Sequence, residues 1–178
     1  MRSIITIVLL VLVNVSFGQN KAKVDFKKNE VKVNALYFIL GALDVNYERL
    51  LNEESGVGIS VATLVDTDSS LSSAVVVSPY YRFYFGQKPA SGFYFEGFSQ
   101  YSNLKYKTYT FFSNQTQTEQ INTFALGVAL GGKWYTKRGI VFEIGGGIGR
   151  NLVANSNFQN SEPSRITGKF SISAGYRF

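Results

Sequence analysis

Cysteine and histidine are both absent from this chain of 178 residues. Without cysteine there is no disulfide framework, no thiol chemistry and no acceptor for lipoprotein acylation. Without histidine the chain lacks the commonest general base and the commonest protein ligand of metals. We therefore expect no catalytic residues, no metal site and no cofactor, and a protein that is not an enzyme.

Charged residues are also scarce, at 17% of the chain, against about 25% in a typical soluble domain. Aromatic residues, in contrast, make up 15%. This combination suits a chain whose outer surface does not face water. Beyond residue 29 the apolar residues show no convincing helical period; they alternate with polar residues, which indicates β-strands.

The first 29 residues have a different character. Arg2 precedes the apolar run "IITIVLLVLV", which has the length of a signal-peptide core and is shorter than the roughly 20 residues of a membrane-spanning helix. Small residues at Ser16 and Gly18 predict cleavage after Gly18. We expect residues 1–18 to be a cleaved secretory signal peptide, 19–29 a polar arm and 30–178 the folded domain. The arm lacks the density of Lys and Arg that nucleic-acid binding needs.

Eight strands are predicted after the arm. The first runs from about Glu30 to Leu40, and the last from about Ser164 to Phe178. The connections "NEES", "GQKPAS" and "TKRG" are tight, three others are longer and polar, and the one near Gly41 must be short. Tight turns at one end and longer loops at the other are typical of outer-membrane barrels. The expected fold is an all-β, eight-stranded antiparallel up-and-down transmembrane β-barrel.

Alternation defines two faces of each strand but does not say which face is inside. A soluble lipocalin-like barrel turns its apolar face inward, and a membrane barrel turns it outward. The polar face consists mostly of small residues, which fits the crowded interior of an eight-stranded barrel. A Lys or Arg that faces mid-membrane costs about 2–4 kcal/mol, and the apolar face carries almost none. We therefore expect the apolar face to meet lipid.

Aromatic residues of the apolar face concentrate next to the tight turns, where an interfacial girdle belongs. The predicted girdle consists of Tyr81, Phe83, Phe85, Phe93, Phe95 and Trp134.

With this orientation, eight charged side chains point inward, most of them near a tight turn or a terminus. Buried charges persist only when paired, and opposite charges across a hairpin attract. Arg82–Glu96 and Lys133–Glu143 each flank one turn and are the expected pairs. The hypothesis is a salt-bridged plug, and the alternative is a water-filled vestibule with hydrated charges. The predicted interior network comprises Lys32, Glu48, Arg82, Glu96, Lys133, Glu143, Lys169 and Arg177.

The stretch "VNALYFILGALDVNYERLLNEESGVGIS" resembles a group of uncharacterised outer-membrane barrel proteins, a domain of unknown function. The positions that carry this resemblance are Asn34, Tyr47, Glu48, Gly56 and Gly58. The whole mature chain is similar to small eight-stranded outer-membrane barrels such as the transmembrane domain of outer membrane protein A. The resemblance implies an integral outer-membrane protein with both barrel termini on the periplasmic side, and it brings no known activity.

The terminal "YRF" resembles the sorting signal that the barrel-assembly machinery reads, an aromatic residue at the end of the chain with another two residues before it. The residues of this signal are Phe170, Ile172, Tyr176 and Phe178.

These patterns predict a non-enzymatic, monomeric protein of the bacterial outer membrane with a structural role or loop-mediated interactions. Its expected partners are outer-membrane lipid and, during biogenesis, the barrel-assembly machinery, with no nucleic acid and no identified external partner. Two alternatives stay open: a narrow channel for small or hydrophobic solutes, and a soluble lipocalin-like barrel that binds a ligand.

Overall fold

A computed structural model describes residues 26–65, 71–110, 115–156 and 164–178. These residues form eight antiparallel strands in sequence order, and the strands close into a barrel. The strands are β1 (Asn29–Asn34), β2 (Leu43–Leu50), β3 (Ser55–Val65), β4 (Leu71–Tyr84), β5 (Gly92–Thr110), β6 (Gln115–Tyr135), β7 (Ile140–Ser156) and β8 (Ile166–Arg177). One helix, α1 (Ala35–Ile39), connects β1 to β2. The expected all-β, eight-stranded up-and-down barrel is therefore confirmed.

The barrel closes where β1 pairs with β8, as the sequence requires for a sheet without free edges. Val31 lies opposite Tyr176 and Val33 opposite Ala174, and the ladder ends at Asn34 opposite Ser173. Because β8 continues back to Ile166, its first residues extend beyond the end of β1. The backbone of Phe178 also exchanges two hydrogen bonds with that of Asn29, so the chain is paired up to its last residue.

The first strand is shorter than the sequence predicts, since it ends at Asn34 rather than near Leu40. Asn34 has extended backbone angles, and its side chain accepts a hydrogen bond from the Leu36 N–H. A side chain that caps a backbone N–H in this way starts a helix. The apolar run that follows therefore forms α1 instead of continuing β1, and Gly41, with a φ of 81°, turns the chain into β2.

The strands become longer from β1 to β6, and the wall of the barrel becomes higher with them. β1 has 6 residues and β2 has 8, whereas β5 has 19 and β6 has 21. Part of this height is not expected, because the last part of the polar stretch "TFFSNQTQTEQ" (residues 115–120) is predicted as one of the longer polar connections. It instead forms the first part of β6, paired with β5 as far as Thr110 opposite Gln115.

Side chains alternate between the two faces as expected for β-structure. In β1 the side chains of Glu30, Lys32 and Asn34 are buried, and those between them are exposed. The apolar face of the barrel is the outer one, and the polar and charged face is the inner one. Among the described residues, no helix has the length and apolar character needed to cross a membrane. The predicted signal peptide and arm residues 19–25 lie outside the described residues, and both stay predictions.

Candidate functional site

Charged side chains of the inner face form one continuous cluster in the half of the barrel next to the tight turns, here called the ion-pair cluster. It contains one more basic side chain than acidic ones. All members except Lys169, at 14%, have side chains no more than 3% exposed. The members are Lys32, Arg82, Lys133, Lys169, Arg177, Glu30, Glu48, Glu96 and Glu143. The structure thus brings together all eight residues of the predicted network and adds Glu30.

Glu48 on β2 lies at the centre of the cluster. Its carboxylate is 2.7 Å from Lys32 Nζ, 3.1 Å from Arg82 Nη1 and 3.2 Å from Lys133 Nζ. The hydroxyl of Tyr84 also donates a hydrogen bond to it. One carboxylate therefore links basic side chains from three different strands.

Arg82 on β4 binds the carboxylates of β5 and β7. Its Nε donates to Glu96 at 2.6 Å, which is one of the two predicted pairs. Its two terminal nitrogens bind both oxygens of Glu143, at 2.6 and 2.7 Å, in the bidentate geometry that guanidinium favours. The rings of Tyr80 and Tyr94 lie over the guanidinium with centroids at 4.4 and 4.3 Å. The charge is therefore enclosed by carboxylates and aromatic faces.

The second predicted pair, Lys133–Glu143, is wrong as an ion pair, although the two residues lie directly opposite each other on β6 and β7. Within the described part of the chain, Lys133 Nζ contacts Glu30 at 2.9 Å and Glu48 at 3.2 Å. Glu143 contacts Arg82 and Lys32 instead. Long side chains reach across the narrow interior of the barrel, so the residue directly opposite on the next strand is not the preferred partner.

Glu30 is the member that sequence reasoning missed. It binds Arg177 Nε at 2.6 Å and Lys133 Nζ at 2.9 Å. The signal was present, because Glu30 lies two residues before Lys32 and a strand places such residues on the same face.

A turn folds under the barrel and closes its end. Arg177 donates hydrogen bonds to the carbonyls of Pro89 and Ala90, at 2.9 and 2.8 Å. These residues belong to the segment between β4 and β5, and Ala90 is fully buried with a φ of 46°. Ala90 also belongs to a small apolar cluster, whose other buried members are Leu50, Tyr84 and Tyr94. Phe26 packs against this cluster. The tight-turn end of the lumen is therefore blocked both by side chains and by backbone.

The sequence predicts that inward glycines leave room for the large inward rings of Tyr80, Tyr84 and Phe98, and the structure places glycines against Tyr80 and Phe98. An added Cβ at Gly58 would strike Tyr80, and one at Gly127 would strike Phe98. Tyr94, which the sequence did not single out, lies over both Gly131 and Gly145.

The other half of the lumen is hollow. A cavity of about 70 Å³ lies there, lined by hydroxyl and amide side chains, by charged residues of both signs and by several apolar residues. One water molecule needs at least about 10–15 Å³ on this measure and has a share of about 30 Å³ in the liquid, so the cavity has room for a few waters. The charged residues in its lining are Asp44, Arg82 and Lys169.

Asp44 at the start of β2 carries the acidic charge of this cavity and is 8% exposed. One carboxylate oxygen accepts a hydrogen bond from Asn34 Nδ2 at 3.0 Å, and the other accepts one from the Ser60 hydroxyl at 2.7 Å. Both donors are neutral. Among the described residues, no Lys or Arg forms an ion pair with Asp44.

Asn34 joins the hollow half to the seam between β1 and β8. Its amide nitrogen donates to the Phe170 carbonyl at 3.1 Å, and its oxygen accepts from the Ile172 N–H at 3.2 Å. These two contacts occupy β8 backbone groups beyond the end of the β1 ladder. The Asn34 side chain therefore binds backbone groups of β8 that β1 is too short to pair with.

The predicted aromatic girdle and the predicted sorting signal both lie on the outer face of the barrel. The girdle residues Tyr81, Phe83, Phe85, Phe93, Phe95 and Trp134 are all exposed, and so are Phe170, Ile172, Tyr176 and Phe178 of the predicted sorting signal. The ring centroids of Phe83 and Phe85 are 5.3 Å apart, and those of Phe85 and Phe93 are 6.1 Å apart. These aromatic residues therefore form a contiguous patch beside one tight turn.

The chemistry of the lumen is that of charge pairing. Every carboxylate of the ion-pair cluster contacts at least one Lys or Arg nitrogen. In the described part of the chain, no group of three or more His, Cys, Asp or Glu residues could hold a metal ion.

A family model described as "Protein of unknown function (DUF3575)" matches residues 4–174. The chain belongs to the DUF3575 family. The match covers every strand except the end of β8, and so it includes the whole ion-pair cluster apart from Arg177. Membership of DUF3575 agrees with the resemblance to a domain of unknown function carried by residues 33–60, and it assigns no activity. No match was found among curated proteins or among solved structures.

Proposed function

We propose that this DUF3575 protein is an integral β-barrel of the bacterial outer membrane whose lumen is closed at the tight-turn end. The observation that carries the proposal is the distribution of side chains across the wall. Glu30, Lys32, Glu48 and Lys133 are 0% exposed inside, while large apolar side chains of every strand are exposed outside.

This distribution is costly in water and favourable in lipid. Monomeric soluble proteins rarely expose a contiguous apolar surface of more than a few hundred Å². A soluble lipocalin-like barrel would carry an apolar interior for its ligand, whereas this interior holds the ion-pair cluster. The girdle beside the tight turns supports the same conclusion, because aromatic residues concentrate at the interfaces of membrane barrels.

Strand β1 is short for a membrane barrel, and helix α1 makes up for its length. A spanning strand has about 9–11 residues, and β1 has 6. Helix α1 and its C-cap residue Leu40 continue the wall, with Phe38, Ile39 and Leu40 exposed at 69%, 81% and 67%. The N–H groups of Leu40, Gly41 and Ala42 donate to carbonyls of this helix, and the Leu36 N–H donates to the Asn34 side chain. These bonds satisfy part of the backbone that would face lipid where the strand ends. Asn34 meets the same requirement for the adjacent edge of β8.

The closed lumen favours a structural role, or interactions through the loops, over conduction or catalysis. The ion-pair cluster and the inward turn fill the tight-turn half, so ions meet fixed charges of both signs rather than a water-filled path. The acidic side chains of the cluster are bound to Lys and Arg, which removes them as general bases. The narrow channel remains the second candidate, and it predicts current in planar bilayers where the closed barrel predicts none.

The expected partners follow from this location. Outer-membrane lipid contacts the apolar outer face of a monomer, and the barrel-assembly machinery reads the signal at Phe170, Ile172, Tyr176 and Phe178. Both barrel termini lie at the tight-turn end, which corresponds to the periplasmic side in barrels of this architecture.

The test is cell fractionation combined with gel mobility before and after heating, on the native chain and on a Val128→Arg variant. Val128 is exposed on β6, and an arginine that faces lipid costs about 2–4 kcal/mol. We expect the native chain in the outer-membrane fraction with heat-dependent mobility, and the variant with a lower free energy of unfolding in lipid vesicles.

Gln87→Arg is the matched control, because it adds the same charge in an exposed turn beyond the strands. It should leave stability unchanged. A protein found in the soluble periplasm, with Val128→Arg as stable as Gln87→Arg, would overturn the proposal.

A further inference from the structure

The hollow half of the lumen has features of a ligand site that the closed, structural role of the barrel does not require. Its cavity of about 70 Å³ is lined by residues of several strands. This volume is several times the minimum that one water needs, so it leaves room for a small solute. The serine hydroxyls of the lining, such as Ser171 and Ser173, can both donate and accept hydrogen bonds.

The charges around this cavity do not neutralise each other by direct contact. Among the described residues, Asp44 is bound by the neutral donors Asn34 and Ser60 and forms no ion pair. Burying an ionised carboxylate is expensive unless an opposite charge accompanies it. The position of Asp44 beside a cavity therefore favours a positively charged group in that space.

The ion-pair cluster has the opposite imbalance, with one basic side chain more than its acidic ones. Lys169 is its most exposed member, at 14%, and it borders the cavity. Its ammonium binds Glu96 at 2.6 Å, but Glu96 also binds Arg82 at 2.6 Å. Lys169 thus shares its only carboxylate partner among the described residues, and it faces the cavity with a charge that an anionic group would balance.

We propose that this cavity binds a small zwitterion of the size of a free α-amino acid, with its ammonium group at Asp44 and its carboxylate at Lys169. A zwitterion supplies both missing charges at once and leaves the net charge of the lumen unchanged. The lining hydroxyls would bind the remaining polar atoms. The proposal concerns the hollow half of the lumen and does not depend on whether the barrel lies in the outer membrane.

The experiment titrates glycine and L-alanine into the full chain, folded in detergent micelles, by calorimetry or ligand-observed NMR. Acetate, methylammonium and glycerol serve as probes that carry one charge or none. We expect saturable binding of the two amino acids, and binding of the three other probes weaker by about tenfold or more, since each loses at least one charge-assisted contact.

Asp44→Asn and Lys169→Gln should each weaken amino-acid binding by about tenfold or more. Glu53→Gln is the matched control, because it removes one carboxylate in the turn before β3 at the opposite end. It should change nothing. Ala62→Leu fills the cavity without altering any charge and should abolish binding while the folded gel mobility is kept.

The inference is overturned if neither amino acid binds saturably to the native chain. It is equally overturned if glycerol binds as tightly as glycine and Asp44→Asn has no effect, because the site would then recognise hydroxyl groups rather than charge. Neither result bears on fractionation or heat-dependent mobility, so the membrane location stands or fails separately.

Discussion

The two halves of the lumen solve the problem of buried polarity in opposite ways. Next to the tight turns, nine charged side chains contact one another and leave a void of only about 10 Å³ beside Arg82 and Tyr94. Towards the other end, a cavity of about 70 Å³ separates Asp44 from the cations of the cluster. One half is filled by the protein itself, and the other leaves space for a solute.

This difference follows from the shape of the barrel. In the tight-turn half all eight strands are present, and the ladder closes between β1 and β8. In the other half β1 is replaced by α1, so the wall carries fewer inward side chains. A densely paired interior also fixes the register, because a slip of one residue would move every inward charge to the outer face. We therefore expect the filled half to determine stability and the hollow half to tolerate change.

Glu48→Ala should have the largest effect, because it removes the carboxylate that Lys32, Arg82 and Lys133 share. Removing one partner from a buried ion pair leaves uncompensated charge and costs about 3–5 kcal/mol. Asp44→Ala, the matched change in the hollow half, removes two hydrogen bonds from neutral donors but also a buried carboxylate that has no ion-pair partner among the described residues, so it should cost no more than about 1–2 kcal/mol. Urea unfolding of both variants in lipid vesicles measures the difference. Equal losses would mean that the two halves contribute alike, and the comparison would fail.

Much of the filled half was predictable, because strand alternation and charge are local properties of the sequence. The parity of Lys32, Arg82 and Glu143 follows from their strands, and Arg82–Glu96 follows from one hairpin. The partners of Lys133 did not follow. They come from β1 and β2, and only the three-dimensional closure of the barrel brings them within reach. Pairing across a lumen depends on side-chain length and on barrel diameter, which a strand pattern does not contain.

The hollow half was harder to predict for a physical reason. The run from Ala35 to Leu40 is apolar, and its composition predicts a strand. The helix that forms there instead depends on the cap at Asn34. Once β1 ends there, Asp44 keeps its pairing with Ala62 on β3 but lies beyond the last pair of β1 and β2, and it borders the cavity. A single capping residue therefore changes the shape of the site, and hydrophobic periodicity does not report it.

Asn34→Ala tests the junction between the two halves and should have the next largest effect. The side chain makes four hydrogen bonds, with Asp44, Phe170, Ile172 and Leu36. At a net value of about 1 kcal/mol each, with partial replacement by water, the loss should be about 2–3 kcal/mol.

Asn46→Ala is the control, since the Asn46 oxygen accepts one hydrogen bond from Tyr80 and its loss should cost about 1 kcal/mol. Amide hydrogen exchange gives the local measurement for Asn34→Ala. Exchange should accelerate at Leu36 and Ile172, and not at Tyr176 in the paired part of β8. Uniform acceleration along β8 would show that Asn34 supports the whole barrel rather than its junction.

Gly131→Ala and Gly168→Ala give the smallest contrast, and their effects should differ in sign. At Gly131, in the filled half, an added Cβ would strike the Tyr94 ring and lie 2.5 Å from the Ile144 carbonyl oxygen. Because backbone cannot yield as a flexible side chain does, overpacking should cost about 1–2 kcal/mol. At Gly168, an exposed residue on the outer face of β8, the nearest atom to an added Cβ is a ring carbon of the exposed Phe170 at 3.6 Å, an ordinary contact. There the loss of glycine flexibility in the unfolded chain should leave stability unchanged or raise it by about 0.4–1 kcal/mol. Parallel urea titrations decide between these outcomes. Equal destabilisation by both variants would mean that the cost comes from replacing glycine in a strand rather than from contact with Tyr94, and the interior at Gly131 would then not be tightly packed.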